Sequence, residues 1–336
     1  MASGRNHSMH SRTVRSHTVT YSPAYTIVPT YECFNHCSYC NFRTDPGQSP
    51  WLRLADARSL LQQLRNAPEP VIEILVLSGE VHPKSARRQA WFEHIYQLCE
   101  LALEQGFLPH TNVGPLSYEE MRQLKQVNVS MGLMLEQMAP ELHQTVHQQA
   151  PSKSPELRLE QLRWAGELQI PFTTGLLLGI GETSDDWRKS LQTIADQQAK
   201  FGHIQEVILQ PYSPGQQEDW FGSAFDLQQL PAVVALARAI LPDTIVIQIP
   251  PNLIDQPALL VACLEAGARD LGGIGPHDEV NPDYPHPTIE RLAAQLHPQG
   301  WQLKPRLPVY SQYQSWLPSQ LQQQIKLIVK NSFQVL

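Results

Sequence analysis

Residues 25–42 read YTIVPTYECFNHCSYCNF: a short apolar run, Tyr25–Val28, passes directly into a loop with cysteines at positions 33, 37 and 40. The run has the β-branched and aromatic character of a buried strand. Three of the cysteines fall within eight residues, while Cys99 and Cys263 are isolated. The whole chain carries only five in 336 residues, far below the density of a disulfide scaffold. A C-x3-C-x2-C loop in a cysteine-poor chain points to metal binding. Three thiolates can hold three irons of a 4Fe–4S cluster, whereas four would close it for electron transfer. Three local ligands leave one iron open, and an open metal position is where a substrate or cosubstrate binds. A Cys3His zinc site using His36 competes with this reading. A histidine pinned between Cys33 and Cys37 would struggle to reach the same ion, and zinc knuckles use C-x2-C pairs. Tyr39 and Phe42 are placed to shield such a centre from water, which tunes its potential. Cys99 and Cys263 lie on helix-like segments and are expected as buried small hydrophobes.

Outward from this stretch, strand-like and helix-like segments alternate. Further strands are expected at Ile72–Leu77, Leu108–Val113, Val129–Leu135, Phe172–Leu178, Ile204–Gln210, Thr244–Ile249 and Leu271–Ile274. Several are near-continuous apolar runs, as strands covered on both faces should be. Between them, Leu54, Ala57, Leu61 and Leu64 make a helical stripe, as do Val234, Ala237 and Leu241. Ser154–Pro155–Glu156 has the form of a capped helix start, and Thr183 with Asp186 that of a capping pair. Gly106, Gly166 and Gly202 fall near helix ends, where a left-handed turn is wanted. Eight strands alternating with helices over about 275 residues fit an α/β fold of the (β/α)8 TIM-type barrel, typically about 250 residues. A doubly wound open sheet stays open as the alternative, because alternation does not decide closure. The expected organisation is a disordered tail over residues 1–20, the barrel over 21–296, and a C-terminal extension over 297–336. That extension is rich in Pro, Gln and Tyr, and it ends in a helix-like stretch at 317–329 that should pack on the barrel.

Composition narrows the function classes. With 25 Lys and Arg against 32 Asp and Glu the net charge is −7, which argues against nucleic-acid binding by bulk electrostatics. No apolar run approaches the roughly 18 residues of a membrane helix. Arg5, Arg12 and Arg15 sit among Ser, Thr and His without an acid, like a transit peptide in composition. The plain reading is a mobile start with no catalytic part, and the expected location is cytoplasmic.

C-x3-C-x2-C with an aromatic residue before the third cysteine resembles the signature of radical S-adenosylmethionine (SAM) enzymes. The resemblance implies a 4Fe–4S cluster on Cys33, Cys37 and Cys40, with the amino and carboxylate groups of SAM on the open iron. It implies reductive cleavage of SAM to a 5′-deoxyadenosyl radical that abstracts hydrogen from a substrate, inside dry barrel walls. Ser78-Gly79-Glu80 follows the second strand, where the family carries a Gly-Gly-Glu-like turn that holds the SAM amino group. Serine replaces the first glycine, so Gly79 and Glu80 are the carried-over residues. Arg158 opens a helix leading into the fifth strand, as in biotin-synthase-like members, where the matching arginine pairs with the SAM carboxylate; a guanidinium offers that group two parallel donors. Glu136, ending GLMLE, is a second candidate contact to SAM, and Gly179 in GIGE would let backbone approach the adenosine. Tyr39 joins this cofactor-binding set.

A finer resemblance covers residues 21–310. IPFTTGLLLGIGET, HIQEVILQPYSP, IQIPPNL and DLGGIGPHDEVNPDYPHP are similar to blocks of the CofG-type subunits of deazaflavin synthases. The resemblance implies a partner radical SAM subunit of CofH type, which joins a tyrosine-derived hydroxybenzyl group to a ribitylamino-uracil. It also implies oxidation and ring closure of that adduct with loss of ammonia, and a low-potential electron donor such as ferredoxin or flavodoxin. Neither nucleic acid nor membrane is an expected partner. His110, Asn112, Gln210, Gln248, Asn252, His277 and Asp278 are candidate hydrogen-bonding residues for the adduct. His277 and His110 are the candidate catalytic bases. Against this stand the CofH-type partner itself or another radical SAM enzyme, and, from a different class, an iron–sulfur electron carrier.

Overall fold

The structure is a computed structural model that describes residues 17–218, 220 and 222–332. The apolar run at Tyr25 is the end of a longer strand, β1 (His17–Ile27). Residues 17–20 therefore do not belong to a disordered tail. Their sequence, HTVT, has no apolar period of its own; what orders it is pairing with a strand nearly three hundred residues away. The rest of the expected tail, 1–16, lies outside the described residues.

Seven more strands follow with helices between them: β2 (Glu73–Leu77), β3 (Leu108–Asn112), β4 (Ser130–Gly132), β5 (Phe172–Leu178), β6 (Ile204–Pro211), β7 (Val246–Gln248) and β8 (Asp270–Ile274). Every ladder is parallel. The order runs β2-β3-β4-β5-β6-β7-β8-β1, and β1 pairs again with β2, which closes the barrel and excludes the open doubly wound sheet. β5 is buried at all seven positions, as a strand covered on both faces must be. The helices α1 (Leu54–Arg65), α2 (Arg88–Glu104), α3 (Tyr118–Leu124), α4 (Pro155–Glu167), α5 (Ser184–Phe201), α6 (Leu230–Ile240), α7 (Pro257–Ala266) and α8 (Ile289–Leu296) lie outside, and neighbours such as α4 and α5 touch. β4 is shorter than its apolar sequence promised. Past Gly132 only scattered bonds continue its pairing, such as Leu133 N–H to the Thr173 carbonyl, and Glu136 turns into the left-handed region at φ 65°.

Local signals were mostly sound. The Ser154 hydroxyl accepts from Leu157 N–H, and Thr183 with Asp186 forms a reciprocal capping box on α5. Gly202 ends α5 in the left-handed region, but Gly166 does not end α4 that way. Gly166 is helical, and it is glycine because a side chain there would run into Phe201; Gln169 takes the positive φ instead. Cys99 and Cys263 are fully buried.

The chain beyond residue 296 is part of the barrel architecture. β9 (Trp301–Pro305) pairs in parallel with the first half of β1 as a ninth strand. The stretch after it packs Leu307, Val309, Tyr313 and Leu317, with Leu321 and Ile325 of α9 (Ser319–Ser332), onto Ile72, Leu108 and Val129. Those three sit at the N-terminal ends of β2, β3 and β4, so the extension is the floor of the barrel. Among the described residues no helix is long and apolar enough to cross a membrane.

Candidate active site

The cysteine loop leaves the C-terminal end of β1 and is fastened on both sides. Cys33 N–H donates to the Thr44 carbonyl and Thr44 N–H to Tyr31, closing the loop on itself. Phe34 N–H reaches the Glu80 carbonyl, and Gly79 N–H the Thr30 carbonyl, which clamps the loop to the end of β2. His36 and Ser38 N–H bond Gln149 and Val146 in the segment between β4 and α4. The clamp at Gly79 requires glycine: a Cβ there would stand 2.6 Å from the Glu32 carbonyl carbon and 3.0 Å from the Tyr31 oxygen. The serine that precedes it also has a use. Ser78 Oγ accepts from the buried Trp91 Nε1 at 3.1 Å and donates to the Gly79 carbonyl at 2.9 Å.

Cys33, Cys37 and Cys40 are free thiols facing one chamber at the open end of the barrel. Burial pushes the Cys33 thiol up to about 11 and the Cys37 thiol up to about 12. Such thiols ionise only when a cation is there to stabilise the thiolate. Among the described residues, no three His, Cys, Asp or Glu side chains converge on a single ion position. His36 turns instead to Arg43 and Asp45, at 3.1 and 3.2 Å, which leaves the zinc reading without its fourth ligand. Three soft thiol donors from one loop suit an iron–sulfur cluster better than a lone ion.

Five of the six expected cofactor-binding residues, Gly79, Glu80, Glu136, Arg158 and Tyr39, line this same chamber. They form a braced charge network. Arg158, 1% exposed, donates to the Met134 carbonyl at 2.5 Å, the Ser152 carbonyl at 3.1 Å and Glu80 Oε1 at 3.3 Å. Glu80 Oε2 accepts from Asn35 at 2.8 Å and from the Ser152 hydroxyl. Glu136 Oε1 lies 2.5 Å from Lys153 Nζ. Burial alone would raise the Glu136 carboxyl, but Lys153 and Arg158 more than offset it and hold it below the usual range. Burial would likewise lower Lys153, yet the carboxylates of Glu136 and Glu80 keep its ammonium above its ordinary value. Tyr39 shares a 2.9 Å hydrogen bond with His147, whose ring burial pushes down to about 3. Gly179 is the exception. It lies outside the lining of this chamber; its N–H is held by Glu182 at 2.6 Å, and Phe225 packs against it. Its positive φ of 92° serves the turn into α5.

A second chamber lies deeper in the barrel and is continuous with the first through Asn112, Met134 and Gln210, which line both. All seven residues expected to bind a substrate line it. His277 is exposed at the rim. His110 is buried and pushed down to about 3 by burial and the Arg306 charge, so it is neutral at physiological pH and a weak base. Asp278 is spent on its own loop, accepting from Asn252 and from the Val280 and Asn281 N–H groups. Sequence reasoning missed Lys153, Asn35 and Ser152. Lys153 sits in a polar Pro-Ser-Lys-Ser stretch with no periodic or motif signal, and only the fold brings it under Glu136.

Residues 27–194 match the model of the radical SAM superfamily. The chain belongs to that superfamily. It is 65% identical over 307 residues, 91% of this chain and 90% of the relative, to a 7,8-didemethyl-8-hydroxy-5-deazariboflavin synthase of Nostoc sp.. It is 63% identical to the enzyme of that name from Trichodesmium erythraeum, over 91% and 95% of the two chains, and 59% identical to that from Synechocystis sp., over 93% and 99%. Within the superfamily it belongs with these deazariboflavin synthases. Among solved structures, the FeFe-hydrogenase maturase HydG from Carboxydothermus hydrogenoformans aligns at a TM-score of 0.68 over 86% of this chain and 68% of that one, at 18% identity. Methylornithine synthase aligns at 0.65 over 92% and 88%, at 15% identity. These share the barrel.

Proposed function

We propose that this chain is the subunit of 7,8-didemethyl-8-hydroxy-5-deazariboflavin synthesis that closes the ring of the hydroxybenzyl–ribityl-uracil adduct, with ammonia released. The observation that carries the reading is the two-chamber lumen, three free cysteines beside one chamber and a polar, continuous chamber beneath it, in a chain 65% identical to such a synthase. Cys33, Cys37 and Cys40 would hold a 4Fe–4S cluster, and Glu80, Glu136, Arg158, Lys153 and Tyr39 would line the place of SAM. Together, when bound, these groups supply a 5′-deoxyadenosyl radical that takes hydrogen from the substrate.

The chain's own residues divide the work. Arg158 fixes Glu80 from within the wall, itself held by bonds to two carbonyls and that carboxylate. Lys153 has one carboxylate partner and two further N–H donors, which leaves it capacity for an anionic ligand group. Tyr39 and Phe42 shield the cysteines from water. Asn112 and Gln210, common to both chambers, would orient the reacting end of the substrate. His277, at the rim, is the proposed base for ring closure; His110, being a weak base, is better suited to accept a hydrogen bond. The reading entails a CofH-type radical SAM subunit that supplies the adduct, and a low-potential donor such as ferredoxin or flavodoxin.

The test is anaerobic turnover of the iron-reconstituted protein with SAM, dithionite and the authentic adduct. Deoxyadenosine together with the fluorescent deazaflavin is expected. Deoxyadenosine without deazaflavin would assign the chain to another radical reaction, and no deoxyadenosine at all would return it to the electron carriers.

A further inference from the structure

The deep chamber ends on a charged floor that the cofactor site does not use. Glu73 opens β2, Glu206 lies near the start of β6, and Arg306 comes up from the C-terminal extension; all three line the chamber. Arg306 is bidentate to Asp270, at 2.6 and 2.8 Å, and its Nη2 also reaches Glu206 Oε1 at 2.5 Å. Tyr310 and Thr173 hydroxyls bond the Glu206 oxygens at 2.9 and 3.2 Å. Three carboxylates thus face one guanidinium. Glu73 is the one left over: it is 7% exposed, burial raises its carboxyl, and among the described residues it has the Ser22 hydroxyl beside it but neither a salt bridge nor a guanidinium hydrogen bond.

His110 adds a second acceptor, and the hydrogen bonds fix which. The Ser130 hydroxyl has one proton, and it lies 2.7 Å from the Pro308 carbonyl, which can only accept. His110 Nδ1, 2.7 Å from the same oxygen, must therefore be the donor. The neutral ring then carries its proton on Nδ1 and presents Nε2 as a lone pair beside Gly132. A chamber end with a carboxyl group that no cation pairs and an imine nitrogen wants a ligand rich in donors. Neither a flat aromatic ring nor a carboxylate meets that demand; a chain of hydroxyl groups does, because each O–H donates to such an acceptor while its oxygen takes what Arg306 or Gln248 has to offer.

We propose that Glu73 and His110 form a polyol subsite at the barrel floor, which receives the hydroxylated side chain of the substrate and leaves its ring system at Asn112 and Gln210, next to the cofactor chamber. This rests on the function proposed above and deepens it: the floor would set which end of the substrate goes in first. Four residue steps along β2, from Glu73 to Leu77, separate the floor from the strand top, or about 13 Å, a distance suited to a pentitol chain plus a pyrimidine ring. Glu73 and His110 are positioning residues in this scheme, remote from the reacting atoms.

The probes are 5-amino-6-(D-ribitylamino)uracil and its methylamino analogue, titrated by calorimetry into the iron-reconstituted full-length protein with SAM. The native protein should bind the ribityl compound about 10- to 100-fold more tightly, the worth of one or two hydrogen bonds to a charged acceptor. Glu73→Leu should shrink that preference to within about threefold while leaving the methylamino analogue unaffected, and Glu73→Gln, which keeps an acceptor oxygen, should recover part of it. Equal binding of the two probes by the native protein would overturn the subsite. So would a Glu73→Leu variant that weakens both probes alike, the mark of a merely structural role. Cluster absorbance and Tm of each variant show whether it has folded. Preserved ribityl selectivity with no turnover of the adduct would count against the ring-closing reading and leave the subsite standing.

Discussion

Replacing Gly79 by alanine puts one methyl group between the cysteine loop and the end of β2. Its ideal position is 2.6 Å from the Glu32 carbonyl carbon and 3.0 Å from the Tyr31 oxygen, where non-bonded carbons settle at about 3.5–4.0 Å. Every atom it meets is backbone, so no side chain can swing away. The loop must retreat by about 1 Å. That displaces the pair of bonds, Gly79 N–H to Thr30 and Phe34 N–H to Glu80, that carry the segment bearing Cys33. Overpacking of this kind costs about 1–3 kcal/mol, and the loss of one of those bonds adds about 1 kcal/mol. A total of about 2–4 kcal/mol corresponds to a population of the native loop lowered roughly 30- to 700-fold. The assay is anaerobic: reconstitute native and Gly79→Ala proteins side by side, then follow the cluster absorbance near 400 nm against an iron chelator, with Tm recorded for both apoproteins. Faster iron loss from the variant is expected, with a lower apoprotein Tm. A variant that holds its iron as well as the native chain, at unchanged Tm, would refute the claim that this contact sets the cysteine geometry.

Other consequences follow from the same structure. Ser78→Ala should leave the buried Trp91 Nε1–H without an acceptor and cost about 1–3 kcal/mol, read as a lower Tm with the cysteines untouched. Lys153→Met should weaken SAM binding by about tenfold or more in equilibrium dialysis with the reconstituted protein; wild-type affinity would remove Lys153 from the cofactor site. Arg306→Met leaves Asp270 and Glu206 without their guanidinium and should destabilise the protein by about 3–5 kcal/mol, measured by denaturation. Burial, with Asp270 and Glu73 nearby, pushes Glu206 up to about 8 from its usual 4.5. The native state therefore keeps a proton that the unfolded chain gives up, and stability should fall as pH rises between those values, by at most about 1.4 kcal/mol per pH unit. Between about pH 7 and 8 the buried histidines are neutral in both states, so Glu206→Gln should flatten the slope there; an unchanged slope would place the titrating proton elsewhere.

The strands were legible because each is an apolar run bounded by turn residues, and β5 was readable to the residue. Closure was not, since nothing in any one run says that β1 pairs with both β2 and β8. His17–Thr20 looked like tail for a related reason: a strand half made of polar β-branched residues is ordered by its partner. At the site, the cysteines and Glu80 stood out through spacing and position, and Arg158 and Glu136 through their place before or after a strand. Lys153 and Arg306 did not. Each lies in an irregular segment whose direction is settled only by tertiary packing; Lys153 balances Glu136, which sequence could identify but not pair, and Arg306 balances Asp270 and Glu206, which sequence did not single out. Gly179 failed in the opposite way, a glycine with a good turn signature whose conformation serves the turn itself.

β1 has one more consequence, in time. Thr20 and Asp270, bonded between the neighbouring strands β1 and β8, are 250 positions apart, and at about 5–20 residues per second a ribosome needs roughly 12 to 50 s to make the second after the first. Throughout that interval the first strand has no β8 and no β9, and its lower half is a bare edge able to pair with any other nascent chain. The yield of this protein in a cell should accordingly depend on whatever shelters an unpaired N-terminus during synthesis, and slowing translation should lower it.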